Sequence, residues 1–306
     1  MRELSVRYII NPVSGRGLGR KYENRIREMY GGNGEGFVFL TENSQSAFDC
    51  GKRAVEEGIK RICFAGGDGT GNWMVNGMIA GARSLAELPD VGILPCGTGN
   101  NFAKNVGVPK NLETALCAFE LGQHSVPVDI GRIKWSGGER YFLNVASFGF
   151  DAGVVEISPE YKKKCKSFPA LGYLFAAIQK IRQGFDVYEV ELTGNGISRK
   201  EKMVQIAVVN GETYGGFFKI APGANVADGK MNICIIGNMG KAKALLTVFL
   251  AIFGMHVKMP GVQMSSVTSL KIVSPKPLPC EIDGEFVGFM TECEISVIEH
   301  GIKVVK

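Results

Sequence analysis

Two glycine-rich segments stand out among the residues that could do chemistry: GGDGT at 66–70 and GTGNN at 97–101. Each follows an apolar, strand-like run, at 61–65 and 91–95, and each leads into a stretch that favours a helix. Glycine lets backbone N–H groups approach a phosphate closely, and a helix N-terminus adds partial positive charge. Because neighbouring parallel strands end at the same edge of a sheet, the two segments predict one nucleotide or phosphoryl site.

The first segment also contains a carboxylate, Asp68, and a hydroxyl, Thr70. A carboxylate inside a phosphate-binding turn is repulsive unless it binds Mg²⁺ or positions a hydroxyl. The alternative is a polar turn in which Thr70 caps the following helix. A cap alone does not need three glycines, so we favour the functional interpretation. No G-K-[ST] follows, which excludes a Walker A loop.

Two further acidic turns occur late in the chain. Asp283, Gly284 and Glu285 follow the proline-rich run 275–279, which predicts a break in regular structure. The turn is equally consistent with an ordinary hairpin and with a base that accepts a proton from a substrate hydroxyl. The turn at Asp228 is consistent either with a plain turn or with an oxygen-rich site for Mg²⁺ or Ca²⁺.

Strand-like and helix-like stretches alternate at the start of the chain, which predicts a parallel sheet with helices on both faces. Short β-like runs separated by turns, the first of them at 141–146, dominate afterwards and predict an antiparallel β-sandwich, interrupted by helices at 168–183 and 241–257. The expected fold is α/β plus all-β, with the active site in the cleft between two domains. The domains are a Rossmann-like nucleotide-binding domain at 1–131, rejoined by residues 290–306, and a β-rich second domain at 132–289, expected to hold the other substrate.

Composition places the chain among globular proteins of the cytoplasm. It has 306 residues and a net charge of +5, which is too mild to indicate nucleic-acid binding. Eight cysteines without a C-x-x-C pair favour reduced, buried thiols, and the first residues lack the apolar core of a signal peptide. A homodimer through exposed β edges is compatible with the sequence.

The apolar stretch 245–257 is too short to cross a bilayer, which needs about 20 residues. We favour a helix buried against the sandwich. The alternative is a segment at a membrane surface, with Lys241, Lys243 and Lys258 as headgroup contacts. The lysine-rich run 162–166 before the helix at 168–183 leaves the same two interpretations open, so peripheral membrane association is an expectation.

Several motifs in a fixed order resemble the bacterial diacylglycerol kinase and lipid kinase family, relatives of the sphingosine kinases. They are N-P-x-S-G at 11–15, GGDGT with a later Asn-Gly, GTGNNFA at 97–103, D-x-G at 129–131 and DGE at 283–285. The resemblance covers nearly the whole chain. It implies transfer of the γ-phosphate of ATP to a lipid hydroxyl, with diacylglycerol as the expected acceptor and phosphatidic acid as the product.

The resemblance also implies roles for individual residues. Asp283 is the expected general base, supported by Glu285 and Asp68. Mg²⁺ is expected with ATP, and a second, structural Mg²⁺ is expected at Asp228 with the backbone carbonyls of Asn225 and Lys230. The expected ATP contacts are Asn11, Thr41, Gly66, Gly67, Asp68, Gly69, Thr70, Gly71, Asn72, Trp73, Gly97, Thr98 and Asn100.

Two positions depart from the family pattern, since many bacterial members have Asp where this chain has Asn101 and Glu where it has Trp73. Both changes remove negative charge near the expected Mg-ATP. The alternatives to a diacylglycerol kinase are a kinase for a sphingoid base or phosphatidylglycerol, an inactive lipid-binding homologue, and an NAD kinase, which shares GGDGT.

Overall fold

The computed structural model of the protein describes residues 6–31, 36–122, 124–165 and 169–306. The chain divides into two compact units, one made of Met1–Val128 with His300–Lys306 and the other of Asp129–Glu299. Both boundaries between the units, at 128/129 and at 299/300, fall inside β-strands, Ser125–Trp135 and Glu285–Val305.

The N-terminal unit is built on a parallel sheet, as the alternating pattern predicted. Its strands are β1 (Val6–Ile10), β2 (Val38–Leu40), β3 (Arg61–Gly66) and β4 (Asp90–Pro95). They lie in the order β2-β1-β3-β4, and Val304 near the end of the chain pairs parallel with Val91. Strands β1, β3 and β4 are buried almost throughout, which explains their continuous apolar sequences.

Five helices complete this unit: α1 (Leu18–Met29), α2 (Ser44–Glu56), α3 (Asp68–Gly81), α4 (Asn101–Val106) and α5 (Leu112–Leu121). Helices α2 and α3 pack closely because glycines on each helix face the backbone of the other helix. A Cβ at Gly77 would lie 1.9 Å from the carbonyl oxygen of Phe48, and one at Gly51 would lie 2.2 Å from that of Met74. This packing fixes α3, whose N-terminus is the GGDGT segment. The six-residue α4 follows the second glycine-rich segment, where a helix was expected, although it is too short to show a helical period of its own.

The second unit contains antiparallel strands, in agreement with the predicted sandwich class. The strands are β5 (Ser125–Trp135), β6 (Gly138–Phe142), β7 (Val145–Gly149), β8 (Tyr188–Gly194), β9 (Ile197–Val209), β10 (Thr213–Tyr214), β11 (Phe218–Lys219), β12 (Met231–Gly237), β13 (Val262–Val267), β14 (Ser269–Ile282) and β15 (Glu285–Val305). Their main path is β13-β12-β9-β7-β14-β15, while β8 pairs with β9 and β14, and β5 pairs with β6 and β15.

Period-two burial divides the apolar side chains of this unit between two cores. Phe148 and Ile206 belong to a core made by strands, whereas Val145 and Ala207, on the opposite face of the same strands, pack in a second core with helices. The helices are α6 (Phe150–Lys164), α7 (Pro169–Gln183) and α8 (Lys241–Ile252), and a short 3₁₀ turn follows at Met255–Lys258. Helix α6 was not predicted, and Lys162, Lys163 and Lys164 form its last turn.

Three expectations from the sequence need correction or fall outside the description. The run 275–279 does not break regular structure, because β14 continues through it. On one side, β14 pairs with β8 at Lys271–Val273 and with β7 at Cys280–Ile282. On its other side, the pairing with β15 shifts register between Val273 and Leu278, and such an irregularity tolerates prolines, which have no N–H to donate. The predicted strand at 141–146 is two strands, β6 and β7, separated at Leu143 and Asn144. Lys166 and Phe168 lie outside the described residues.

Candidate active site

The two glycine-rich segments of the N-terminal unit contact each other through backbone atoms. The N–H groups of Cys96 and Gly97 both donate to the carbonyl oxygen of Gly66, each at 3.1 Å. A Cβ at Gly97 would lie 2.3 Å from the Cα of Gly67, so no larger residue fits at Gly97 unless the loops separate. The pairing of β3 with β4 therefore brings both loops to one edge of the sheet, as predicted.

Asp68 joins the two loops. Its Oδ2 accepts hydrogen bonds from the backbone and side-chain nitrogens of Asn101, both at 3.0 Å, and its Oδ1 accepts one from the N–H of Phe102 at 2.9 Å. These donors lie at the N-terminus of α4, where a carboxylate is stabilised by unpaired N–H groups and by the helix dipole. Asp68 therefore positions the second loop against the first.

Asn100 fixes the shape of the second loop. Its backbone is left-handed, with φ of +50°, a conformation that asparagine tolerates better than most residues. Its side-chain amide donates to the carbonyl oxygens of Pro95 at 2.9 Å and Gly97 at 2.8 Å. Thr98, which follows Gly97 in sequence, is exposed.

The first loop is supported by residues near the start of the chain. Asn11 donates from its amide to the hydroxyl of Thr70 at 3.4 Å, and its N–H donates to the carbonyl oxygen of Ala65 at 2.9 Å. Thr41 is buried, and its N–H donates to the carbonyl oxygen of Ile10 at 2.9 Å. Helix α3 begins at Asp68 with Gly67 as its N-cap and with no side-chain cap, so the alternative in which Thr70 caps this helix is wrong.

The remaining predicted ATP contacts lie on the first turns of α3. Gly71 packs on the ring of Phe64, where a Cβ would approach within 2.5 Å. Asn72 is buried, and Trp73 is half-buried with its ring edge-on to Phe48, 6.5 Å between centroids. A Cβ added at Gly69 would meet no atom within 4 Å.

In the second unit, Asp283 lies in the two-residue turn that joins β14 to β15. Asp283 and Gly284 have φ values of +47° and +85°, as Asp-Gly hairpin turns favour. The hairpin interpretation is thus confirmed, and it leaves the chemical interpretation open. The carboxylate accepts three backbone hydrogen bonds, from Leu143 at 2.7 Å, Asn144 at 2.8 Å and Val145 at 2.9 Å.

Other residues support this arrangement. Asn210 is buried, and its side-chain amide donates to the carbonyl oxygens of Leu143 at 3.1 Å and Asp129 at 2.6 Å. Its N–H donates to the carbonyl oxygen of Asn144 at 2.8 Å. The loop that binds the Asp283 carboxylate is therefore held from its other side.

The charge of Asp283 is balanced between opposing effects. Burial raises the pKa of its carboxyl group, while the three backbone hydrogen bonds and the nearby Arg140 lower it, and the resulting pKa is about 6. Glu285, two residues on, forms an ion pair with Arg140 at 2.9 Å. Sequence reasoning missed Arg140, since a lone arginine on a short strand gives no signal.

The predicted metal-binding turn is ordered by its own side chains. Asn225 accepts from the N–H of Ala227 at 3.1 Å, and Asp228 accepts from the N–H of Lys230 at 3.1 Å. The buried Asp129 accepts from the N–H of Gly229 at 2.7 Å. Within the described residues, no group of three or more His, Cys, Asp or Glu side chains could hold a metal ion.

An apolar pocket lies within the second unit, between its sheet and its helices. Its few polar groups include Asp151, Tyr173 and Tyr214, whose two tyrosine hydroxyls are 2.7 Å apart. Tyr173 also donates a hydrogen bond to Asp151. The apolar lining includes Phe150, Val154, Ala177, Phe185, Phe218, Ile236, Val248 and Ala251.

Helix α8 is buried on one face only. Ala244, Thr247 and Ala251 are buried, which agrees in part with the favoured interpretation of this stretch. The opposite face and the following turn leave large apolar side chains exposed, among them Leu246, Phe249, Phe253 and Met255, with Phe253 72% exposed. In the described part of the chain, no helix is both long and apolar enough to cross a membrane.

Two family profiles together match most of the chain. The profile of the diacylglycerol kinase catalytic domain matches residues 5–133, and that of the YegS C-terminal NAD kinase beta sandwich-like domain matches residues 144–305. The chain belongs to the family of the second profile, which matches more than half of it, and it carries a diacylglycerol kinase catalytic domain at residues 5–133. It is therefore an enzyme of the lipid kinase class, as the ordered motifs predicted.

Individual relatives agree with this assignment. A diacylglycerol kinase of Staphylococcus carnosus (strain TM300) is 29% identical over 297 residues, which cover 96% of this chain and 92% of that protein. One of Bacillus subtilis (strain 168) is 26% identical over 300 residues, covering 96% and 94%. A crystal structure of a diacylglycerol kinase from Bacillus anthracis str. Sterne shares the fold, with a TM-score of 0.71, 19% identity and coverage of 100% and 97%.

Proposed function

We propose that this lipid kinase transfers the γ-phosphate of ATP to the hydroxyl of diacylglycerol and releases phosphatidic acid. The observation that carries the proposal is the Asp283 carboxylate, held by three backbone N–H groups and with its pKa raised to about 6. A base with such a pKa is ionised at neutral pH and can still accept a proton. Diacylglycerol is the acceptor named for the relatives from Staphylococcus carnosus and Bacillus subtilis.

We assign ATP to the glycine loops of the N-terminal unit, and the domain bounds to 1–131 with 290–306 and 132–289. Residues 67–70 lie at the start of the fourteen-residue helix α3, which has no side-chain cap, so its first N–H groups can donate to phosphate oxygens. The close contact between Gly67 and Gly97 places the backbone of the second glycine loop beside that of the first. Asp68 contributes to this site because it positions the second glycine loop.

Phosphoryl transfer depends mainly on positioning and on cations at the phosphates, and the base takes the hydroxyl proton late. In this proposal Asp283 accepts that proton. Arg140, paired with Glu285, limits how far burial raises the pKa of Asp283, so the group stays ionised at neutral pH. Glu285 acts through Arg140, because the ion pair holds the guanidinium in place.

Mg²⁺ is the cation that we assign to the ATP phosphates, where it would neutralise charge during transfer. A structural Mg²⁺ fits the donor chemistry of the turn at 225–230, which offers the exposed Asp228 carboxylate and backbone carbonyls. The Glu299 carboxyl carbon lies 3.3 Å from where a Cβ at Gly229 would be, so a second carboxylate borders the turn. An Asp228→Ala variant should lose the rise in melting temperature that Mg²⁺ gives without nucleotide, and an equal rise would contradict this assignment.

The apolar pocket suits an acyl chain of the lipid, since its lining is dominated by apolar side chains. The exposed apolar side chains of α8 supply a surface for the lipid headgroup region of a membrane. Lys241 and Lys258, both exposed, lie at either end of this surface and suit anionic lipids. The chain would then take its substrate while bound peripherally to a bilayer.

The decisive experiment measures transfer of labelled γ-phosphate from ATP to lipids in mixed micelles. The panel contains diacylglycerol, monoacylglycerol, sphingosine, ceramide and phosphatidylglycerol, with NAD as a soluble acceptor and Asp283→Asn as the control enzyme. Labelling of diacylglycerol by the wild type and not by the variant is the expected result. Labelling of another acceptor would reassign the substrate, and ATP binding without any labelling would favour an inactive homologue.

Membrane association has its own test, sedimentation with vesicles of phosphatidylglycerol and phosphatidylcholine. Phe253→Ser should reduce the bound fraction severalfold, because it removes the most exposed aromatic side chain of the α8 surface. Leu121→Ser is the matched control, since Leu121 is 61% exposed at the end of α5 in the other unit. Equal binding of the Phe253 variant and the wild type would refute this surface.

A further inference from the structure

Two buried carboxyl groups lie behind the turn that contains Asp283. Glu281 is fully buried on β14, and Asp151 is buried in the first turn of α6. Strand pairing sets Glu281 opposite Ser147 on β7, four residues before Asp151. The two groups interact electrostatically, since α6 starts at the end of β7 through Gly149, whose φ is +89°.

One oxygen of each carboxyl group is already in use. Glu281 accepts through Oε2 from the N–H of Gly284 at 2.7 Å, and Asp151 accepts through Oδ1 from the hydroxyl of Tyr173. The other two oxygens, Oε1 of Glu281 and Oδ2 of Asp151, are buried and have no hydrogen-bond partner among the described residues when both groups are ionised. Two such oxygens cost several kcal/mol in an apolar interior, and a proton between them removes the penalty.

We propose that Glu281 and Asp151 share one proton, and that this proton keeps Glu281 on the Gly284 amide and so positions Asp283. The proposal rests on the proposed function for its catalytic consequence and on the described contacts for the pair itself. Glu281 is a positioning residue, since it contacts the turn and not the reacting atoms.

The electrostatic surroundings favour a protonated pair. Burial raises the pKa of Glu281 well above its usual range, and the negative charges of Asp151 and Asp283 act in the same direction. Burial also raises the pKa of Asp151, against the hydrogen bond from Tyr173 that lowers it. Among the described residues, Lys162 of α6 also interacts with Glu281, and burial lowers the pKa of this lysine.

Loss of the proton would leave two negative charges in one buried site. Repulsion would then drive the Glu281 side chain away from Asp151 and off the Gly284 N–H. Since Gly284 and Asp283 are the two central residues of the turn, the carboxylate of Asp283 would lose its alignment with the 143–145 backbone. Turnover should therefore fall at alkaline pH, while ATP binding in the N-terminal unit should not change.

The test compares Glu281→Leu, Glu281→Gln and Asp151→Asn with the wild type. A leucine cannot hold the Gly284 amide, so kcat should fall about 10- to 100-fold with the KM for ATP unchanged. Glutamine can accept from Gly284 and donate to Asp151 at every pH, so it should restore most of kcat and abolish the alkaline loss. The Asp151→Asn variant should also abolish that loss. Glu292→Gln, on the exposed ion pair with Lys271, is the control and should match the wild type.

Stability measured against pH tests the pair without any activity. A carboxyl whose folded pKa exceeds its usual value of 4.5 stabilises the fold below that pH and loses the contribution as pH rises through the folded pKa. The wild type should therefore lose more stability above pH 4.5 than Glu281→Gln. Parallel curves would overturn the shared proton, and an unchanged kcat in Glu281→Leu would overturn the positioning role. If no lipid is labelled by the wild type, the proposed function fails while the stability curves still decide the pair.

Discussion

Asp68 in the N-terminal unit and Asp283 in the second unit use the same kind of contact. Each carboxylate accepts three hydrogen bonds from nitrogen, and each draws them from consecutive residues. Asp68 takes two backbone donors and one side-chain donor at the start of α4, whereas Asp283 takes three backbone donors from an irregular loop and the strand that follows it. The number of contacts therefore does not tell a structural carboxylate from a chemical one.

What separates the two is their setting. Asp68 accepts hydrogen bonds at the N-terminus of α4 and links two loops, so a structural role accounts for all of these contacts. Asp283 lies in a left-handed turn, near a guanidinium, with burial raising the pKa of its carboxyl to about 6. A carboxyl group that can exchange a proton near neutral pH is suited to acid–base chemistry. The comparison predicts different failures when each is altered.

The largest effect is expected for Asp283→Asn. The amide cannot accept the substrate proton, so kcat should fall by about 10²- to 10⁴-fold, while the affinity for ATP changes little. Steady-state kinetics with diacylglycerol and nucleotide titration by calorimetry measure the two quantities. A variant with near wild-type kcat would remove Asp283 from the role of base.

For Asp68→Asn the pattern should reverse. The asparagine side chain carries no negative charge, so the charge-assisted hydrogen bonds to the start of α4 are lost. Its NH₂ group would also face N–H donors instead of acceptors, so the second glycine loop should no longer be held in place. We expect the affinity for ATP to fall about tenfold, with a lower melting temperature. An unchanged affinity with a reduced kcat would show that Asp68 acts in the chemistry instead.

The fall of kcat/KM at acidic pH should reflect protonation of the Asp283 carboxyl group. Its carboxyl must be ionised to accept a proton, so kcat/KM should fall about tenfold per pH unit below about pH 6. Arg140 lowers the pKa of Asp283, so Arg140→Gln should move this fall to higher pH. A fall that stays in place in that variant would mean that another group titrates.

The smallest effect is expected at Asn101, where many relatives have aspartate. The side-chain nitrogen of Asn101 is 3.0 Å from Oδ2 of Asp68, so Asn101→Asp places two carboxylates together. Without metal the variant should be less stable by about 1 kcal/mol. If a cation bridges the two, Mg²⁺ should restore stability in the variant and not in the wild type. Equal responses to Mg²⁺ would show that this position does not bind metal.

The sequence predicts the parts of the site that depend on local chemistry. Glycines 66, 67 and 97 were identified because glycine lets backbone N–H groups approach a phosphate, and the Asp283 turn was identified from its acidic residues around a glycine. The parts that it misses depend on tertiary pairing. Arg140, Glu281 and the amides of 143–145 lie near Asp283 only because β14 pairs with β7 and β15.

The same reasoning explains errors in the secondary structure. Helix α6 begins directly after the apolar strand β7 and carries Pro159 inside it, so neither its start nor its course follows from propensity. The prolines of β14 predicted a break because local rules do not anticipate a strand that exchanges one partner for another.

The left-handed backbone at Asp283 restricts the kind of base that this turn can hold. Glutamate has similar acidity, but it does not share the tolerance of aspartate for a φ of +47°, and its longer side chain would overreach the three amides. If Asp283 is the base that we propose, aspartate at this position answers two demands in evolutionary terms, proton chemistry and the geometry of a two-residue turn. Under the same proposal, a change of lipid acceptor would need only a remodelled pocket, whereas a change of base would also need a different turn.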